Sequence, residues 1–213
     1  MTQGISTEDF IRQLAASPVP RPMHPALVML GLLGPSMVAL ALYFWAYGLR
    51  PGLAEALMLP VVTAKLVLPM IVAALAFWLA LVSARPGARP AMRWLILPLA
   101  IGSVLFAARA AQTAPGGLVS GMLGQTAAAC LMSISAMSLG PTAAGILALR
   151  RGATTRPGMT GLLLGLASGA VVTAGYALHC PEDSPLFYVI WYGMAIFISG
   201  CIGAIAGRIW LRW

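Results

Sequence analysis

The sequence predicts an all-α protein, a polytopic membrane helix bundle of about six transmembrane helices, and three observations carry that expectation. Of 213 residues, 60% are hydrophobic and 8% charged, with a mean hydropathy of +0.91. Soluble domains carry roughly 25% charged residues, so this chain has no polar skin to present to water. Six apolar stretches each approach the ~20 helical residues that cross ~30 Å of hydrocarbon. Finally, the thirteen basic residues outnumber the five acidic ones for a net charge of +8, yet they lie singly or in short clusters between apolar runs. That is the pattern of membrane loops. It leaves no continuous basic face for phosphate, so direct nucleic-acid binding is excluded and membrane lipids are the expected surroundings.

The elements follow in order. Residues 1–25 read as a soluble tail and 26–213 as one transmembrane unit. The tail has no basic n-region, and Glu8, Asp9 and Arg12 interrupt it, so it is not expected to act as a cleaved signal peptide. Ser6 or Thr7 can cap a helix whose first turn carries Glu8 and Asp9, a favourable place for carboxylates. Phe10, Ile11 and Leu14 give that helix a short apolar stripe before Ser17-Pro18-Val19-Pro20-Arg21-Pro22 stops it. So short a helix is marginal in water alone. It can lie on the membrane surface or dock in a partner's groove. The spans are Ala26 to Tyr47, Val61 to Ser83, Arg93 to Gln112, Ala127 to Leu149, Met159 to Leu178 and Leu186 to Arg208. Gly161, Gly165 and Gly169 share one face of the fifth span, and Gly200, Gly203 and Gly207 recur on the sixth. Such faces let helices approach closely.

Loop charge sets the orientation. Arg12 and Arg21, Arg85, Arg89 and Arg93, Arg150, Arg151 and Arg156, and Arg208 and Arg212 share one side, and Arg50, Lys65 and Arg109 take the other. The positive-inside rule then puts both termini in the cytoplasm. Lys65 and Arg109 lie close enough to span ends to snorkel, and no span contains Asp or Glu. Ion-coupled transport, which keeps charges in mid-membrane, is therefore disfavoured. No phosphate-binding glycine loop, paired catalytic carboxylates or zinc-protease motif occurs, so no catalysis is expected.

The cysteines carry more. Cys130 opens the fourth span and Cys180 closes the fifth, on the same outer side. Cys201 lies some fifteen residues into the sixth, or about 22 Å down the helix, out of their reach. The outer pair can be a structural disulfide or two inert thiols, a redox or metal sensor, or a catalytic disulfide exchanger, although no Cys-x-x-Cys pair supports the last. His179, beside Cys180, reads either as a soft-metal ligand or as a polar residue at a helix end.

Taken together, several features are shared with a known group. They are the tail Thr7-Glu8-Asp9-Phe10-Ile11-Arg12-Gln13-Leu14-Ala15 with Pro18-Val19-Pro20, Cys130 and Pro141 in the fourth span, and Leu149-Arg150-Arg151-Gly152-Ala153 with Pro157. To these add Tyr176-Ala177-Leu178-His179-Cys180-Pro181-Glu182-Asp183-Ser184-Pro185, Phe187 and Trp191-Tyr192, and the close on Gly203, Gly207-Arg208 and Leu211-Arg212-Trp213. In these the chain resembles the NrsF family of six-span membrane anti-sigma factors, which inhibit extracytoplasmic-function (ECF) sigma factors in proteobacteria. The resemblance implies a multi-pass protein of the bacterial inner membrane whose cytoplasmic tail sequesters an ECF sigma factor. Asp9, Phe10, Ile11 and Leu14 would lie in the sigma-contacting helix. It also implies that Cys130 and Cys180 face the periplasm and sense oxidants or heavy metals; whether the pair is oxidised or holds a heavy-metal ion is not fixed by the resemblance, and no resident cofactor is expected. Two rival functions are a membrane thiol–disulfide oxidoreductase and a small transporter.

Overall fold

The computed structural model describes residues 6–16, 23–150, 152 and 154–211. The expected stop at 17–22 with Arg21 lies outside them, as do Arg151, Ala153, Arg212, Trp213 and the Leu14 side chain. Among the described residues there are helices and turns and no strand.

The tail helix α1 spans Thr7–Ala16. Its cap is Ser6: the Asp9 N–H donates to Ser6 Oγ at 3.1 Å, and the Ser6 hydroxyl donates back to Asp9 Oδ2 at 2.7 Å. This satisfies one of the orphan donors every helix start exposes. Phe10 and Ile11 are 54% and 57% exposed, so these two members of the apolar stripe are presented and not packed.

Among the described residues, six helices are long and apolar enough to cross a membrane. The spans are α2 (Pro25–Tyr47), α4 (Pro60–Ser83), α5 (Ile96–Ala111, led by a 3-10 turn at Met92–Leu95), α7 (Ala127–Leu149), α8 (Pro157–Tyr176) and α9 (Pro185–Trp210). Four of them open on proline: Pro25, Pro60, Pro157 and Pro185. The missing proline N–H is an orphan at the first helical position anyway. These helices therefore begin one or two residues ahead of the apolar runs that announce them. Two short helices, α3 (Leu53–Ala56) and α6 (Leu118–Leu123), occupy connections expected to be plain loops. Trp191 Nε1–H holds α6 onto α9 by donating to the Met122 carbonyl at 2.8 Å.

Helix α8 is the centre of the bundle, packed by α4, α7 and α9. The glycine faces explain how. A methyl built on Gly161 would strike the Gly203 carbonyl oxygen, and one on Gly165 would strike that of Ser199. The two backbones thus touch directly, an approach only small residues permit. At one end of the bundle the α8 start is knit to α4: Thr160 receives the Ser83 hydroxyl at 2.8 Å and lies 2.7 Å from Thr154 Oγ1. The opposite end holds the cysteines.

Candidate functional site

The site is built where α8 ends and the segment 177–184 turns toward α9. Helix α7 begins after Gly124, whose φ of +56° lies in the left-handed region, and a Cβ there would collide with the Phe187 ring. Only glycine makes that corner. It sets Cys130 one turn into α7, with its N–H donating to the Thr126 carbonyl at 2.9 Å. Cys180 follows the last turn of α8, its N–H reaching the Tyr176 carbonyl at 3.2 Å.

Their thiols meet. Cys130 Sγ and Cys180 Sγ lie 3.7 Å apart, both residues are fully buried, and both are free. Thr126 Oγ1 lies 3.7 Å from one sulfur and 3.9 Å from the other. Ile134, Val172, Tyr176, Phe187 and Tyr192 close the cluster. Cys201 is on α9, half-buried, beside Gly200, which packs on Leu162 and Leu166 of α8. That level is about 20 Å along α8 from Cys180.

The turn itself is pinned at five places. The Arg50 N–H donates to the Leu178 carbonyl at 3.2 Å. The His179 Nδ1 is 2.8 Å from the Gly48 carbonyl, and its ring packs edge-on against Tyr43. Glu182 accepts the Gln125 N–H at 2.9 Å. Asp183 takes both carboxylate bonds from Arg50 Nη1, at 2.7 and 2.9 Å. Lys65 closes the set: its ammonium donates to the Cys180 carbonyl at 2.7 Å and to Asp183 at 3.3 Å.

Lys65 corrects an expectation. Rather than snorkelling, it is fully buried, with its Nζ 5.8 Å from the Tyr192 ring centroid. The physical reason is that Asp183 and the Cys180 carbonyl fold back over the membrane end of α4 and supply the partners that water would have given. Arg109 does remain exposed. The Asp183 hydrogen bond raises the Arg50 pKa above its ordinary value, against the lowering effect of burial. The Cys180 thiol is held below its ordinary range, first by the hydrogen bond with Cys130 and next by the Lys65 charge, while burial pushes it up. A thiolate is the nucleophile and the soft-metal ligand, so of the two sulfurs Cys180 is the one these contacts favour in that form.

Of the residues singled out from sequence, Cys130, Cys180 and His179 come together at one end of the bundle, and Asp9, Phe10 and Ile11 stand on the tail helix. His179 is engaged with Gly48 and the tyrosine rings of Tyr43, Tyr47 and Tyr176. Among the described residues no group of three His, Cys, Asp or Glu side chains is poised around one point. The two sulfurs can form one bond between themselves or offer two soft ligands. Sequence reading missed Arg50, Lys65 and Asp183 as one network, although a lysine inside a span and an aspartate just outside another were its visible halves.

A family model described as "Negative regulator of sigma F" matches residues 14–213. The chain belongs to the NrsF family. Among relatives, it is 35% identical over 220 residues to the "Anti-sigma-F factor NrsF" of Caulobacter vibrioides, covering 97% of this chain and 99% of that protein. It is 30% identical over 221 residues to the "Probable anti-sigma-F factor NrsF" of Azospira oryzae, covering 98% and 100%. No solved structure matches the chain. The NrsF-family match spans all six membrane helices and both cysteines, so the dithiol and its ion-pair network are features of this chain within the family's own boundaries.

Proposed function

We propose that this NrsF-family chain is a membrane-embedded anti-sigma factor that holds an ECF sigma factor with its tail and releases it when Cys130 and Cys180 react. The observation that carries the reading is the family match over residues 14–213, together with relatives of full-length coverage named as anti-sigma-F factors. The placement proposed is the bacterial inner membrane, with both termini cytoplasmic and the thiols at the periplasmic end. The arginine distribution supports that orientation. Disulfides persist in the periplasm and not in the cytosol, so a pair of thiols 3.7 Å apart at that end is placed to register oxidants or soft metals.

The tail helix supports the other half of the mechanism. Phe10 and Ile11 are more than half exposed on a capped helix, the form in which an amphipathic segment enters a partner's groove. At the bundle end from which α2 starts, Gly152 packs beside Met23 and the Ala84 carbonyl. The α7–α8 connection and the root of the tail are thus neighbours. A change in how α7 and α8 pack at the thiol end would be felt there. A disulfide is worth about 2–4 kcal/mol against the ~5.5 kcal/mol of a complete two-state reversal, so oxidation shifts a population and does not switch it fully.

The test uses the full chain in lipid nanodiscs and its cognate sigma factor. Native protein binds in reducing buffer, and Phe10→Asp with Ile11→Asp weakens binding by about 30-fold or more, as loss of an interface anchor does. Oxidation lowers the native affinity, and Cys130→Ser abolishes that response. Equal binding by the tail variant would sink the tail's role. An unaltered oxidant response in Cys130→Ser would sink the sensor's.

A further inference from the structure

Lys65 is the one fully buried charged side chain among the described residues, and an ionisable residue in a membrane span is seldom kept without a task. Its ammonium makes one short bond, 2.7 Å, and that bond goes to the backbone carbonyl of Cys180 itself. Its second partner, Asp183, is shared with Arg50. Lys65 thus ties a membrane helix to the residue whose sulfur faces Cys130. It does so while the sulfurs stand 3.7 Å apart, in contact but unbonded.

Forming the S–S bond requires about 2.05 Å, so the sulfurs must close by roughly 1.7 Å. Cys130 is held in a continuous helix, and both sulfurs are enclosed by Thr126 and the aromatic cluster. Closure is shared between the cysteine side-chain torsions and the backbone of the turn at 177–184, and that backbone is what Lys65 grips. The helix carrying Lys65 has a weak point at the same place. Pro69 lacks the N–H that would bond the Lys65 carbonyl four residues back, so α4 has lost one rung of its ladder there.

We propose that Lys65 is a lock on the unbridged dithiol: by clamping the Cys180 carbonyl and Asp183 it holds the turn in its reduced position, and disulfide formation must break or drag that clamp. The inference rests on the reading of Cys130 and Cys180 as a reacting pair. By thermodynamic reciprocity, a contact that oxidation disrupts is a contact whose removal favours oxidation. Lys65 also stabilises negative charge beside Cys180, which favours the reduced pair in the same sense. A residue that merely supported the fold would act oppositely, because loosening the turn separates the sulfurs and makes the bond harder to form.

The experiment measures the equilibrium between the dithiol and glutathione. Oxidised glutathione takes two electrons and two protons from Cys130 and Cys180, which gains one S–S bond and releases two reduced glutathione molecules. The full chain in nanodiscs, carrying Cys201→Ser so that only the pair titrates, is compared with Lys65→Met and with Asp183→Asn. The second variant keeps the lysine and so provides a reading should Lys65→Met fail to fold. We expect Lys65→Met to raise the equilibrium constant for the disulfide by about tenfold, or about 30 mV toward a more negative potential, with Asp183→Asn shifting it less in the same direction. An unchanged or lowered constant in a folded variant overturns the lock. A native pair that forms no disulfide at any glutathione ratio overturns the oxidant-sensing reading, and the lock with it.

Discussion

The seam between α8 and α9 can be tested by adding single methyl groups. In Gly165→Ala the new Cβ would collide with the Ser199 carbonyl oxygen and come within 3.0 Å of the Gly200 Cα. Both obstacles are backbone, so no side chain can rotate away and the helices must part by about 1 Å, a gap that forfeits a quarter to a half of each dispersion contact along it. Overpacking of this kind costs typically 1–3 kcal/mol, and the rigid obstacle puts Gly165→Ala near the upper end, at about 3 kcal/mol. Gly161→Ala, facing the Gly203 carbonyl oxygen and the Gly207 Cα at 2.8 Å, is expected to match it. The control is Gly34→Ala on α2, where nothing lies within 4 Å of the added carbon and the change should be within about 1 kcal/mol of neutral. Reversible denaturation in mixed micelles, read by tryptophan fluorescence, compares the three. If Gly165→Ala and Gly34→Ala unfold at the same denaturant fraction, the two backbones do not touch as described and the argument from the glycine faces fails.

Two further outcomes follow from the thiol end. Because the Cys180 thiol is held below its ordinary range, its thiolate persists as pH falls below the usual thiol pKa of ~8.5. Thiolate ultraviolet absorbance in a Cys201→Ser chain, which needs no reagent to reach the buried sulfur, should therefore persist below that pH. Cys130→Ala removes the first cause of the lowering and should move the absorbance profile to higher pH; coincident profiles would remove Cys130 from the account. Trp191→Phe deletes the bond to the Met122 carbonyl and should cost about 1 kcal/mol, with faster amide exchange confined to 118–123. Unaltered exchange there would mean that α6 is held by its apolar contacts alone.

Much of the fold was legible because lipid imposes a coarse and demanding code. A span must be apolar for about 20 residues and must satisfy its own backbone, so Ala26 to Tyr47 or Ala127 to Leu149 declares itself without reference to any partner. Spacing also announced the glycine faces, since residues four apart lie on one side of a helix. The two cysteines could be assigned to one end of the bundle by counting spans. Whether their sulfurs touched could not be counted, because that depends on the corner at Gly124 and on the path of eight residues after α8.

Lys65 shows the limit from the other side. From sequence, a lysine five residues into a span has water within reach, and snorkelling is the low-energy expectation. The bundle instead folds the 177–184 turn over it, and Asp183 and the Cys180 carbonyl replace that water. They lie 118 and 115 residues away in the chain, so no local pattern could have named them. Hydropathy, which acts one segment at a time, determined the class and the span count, while the roles of the candidate residues came from the family resemblance. The tertiary structure alone decided which sulfur faces which, what the buried ammonium holds and how closely α8 approaches α9. Those depend on distances between segments, and such distances are set only when the helices pack.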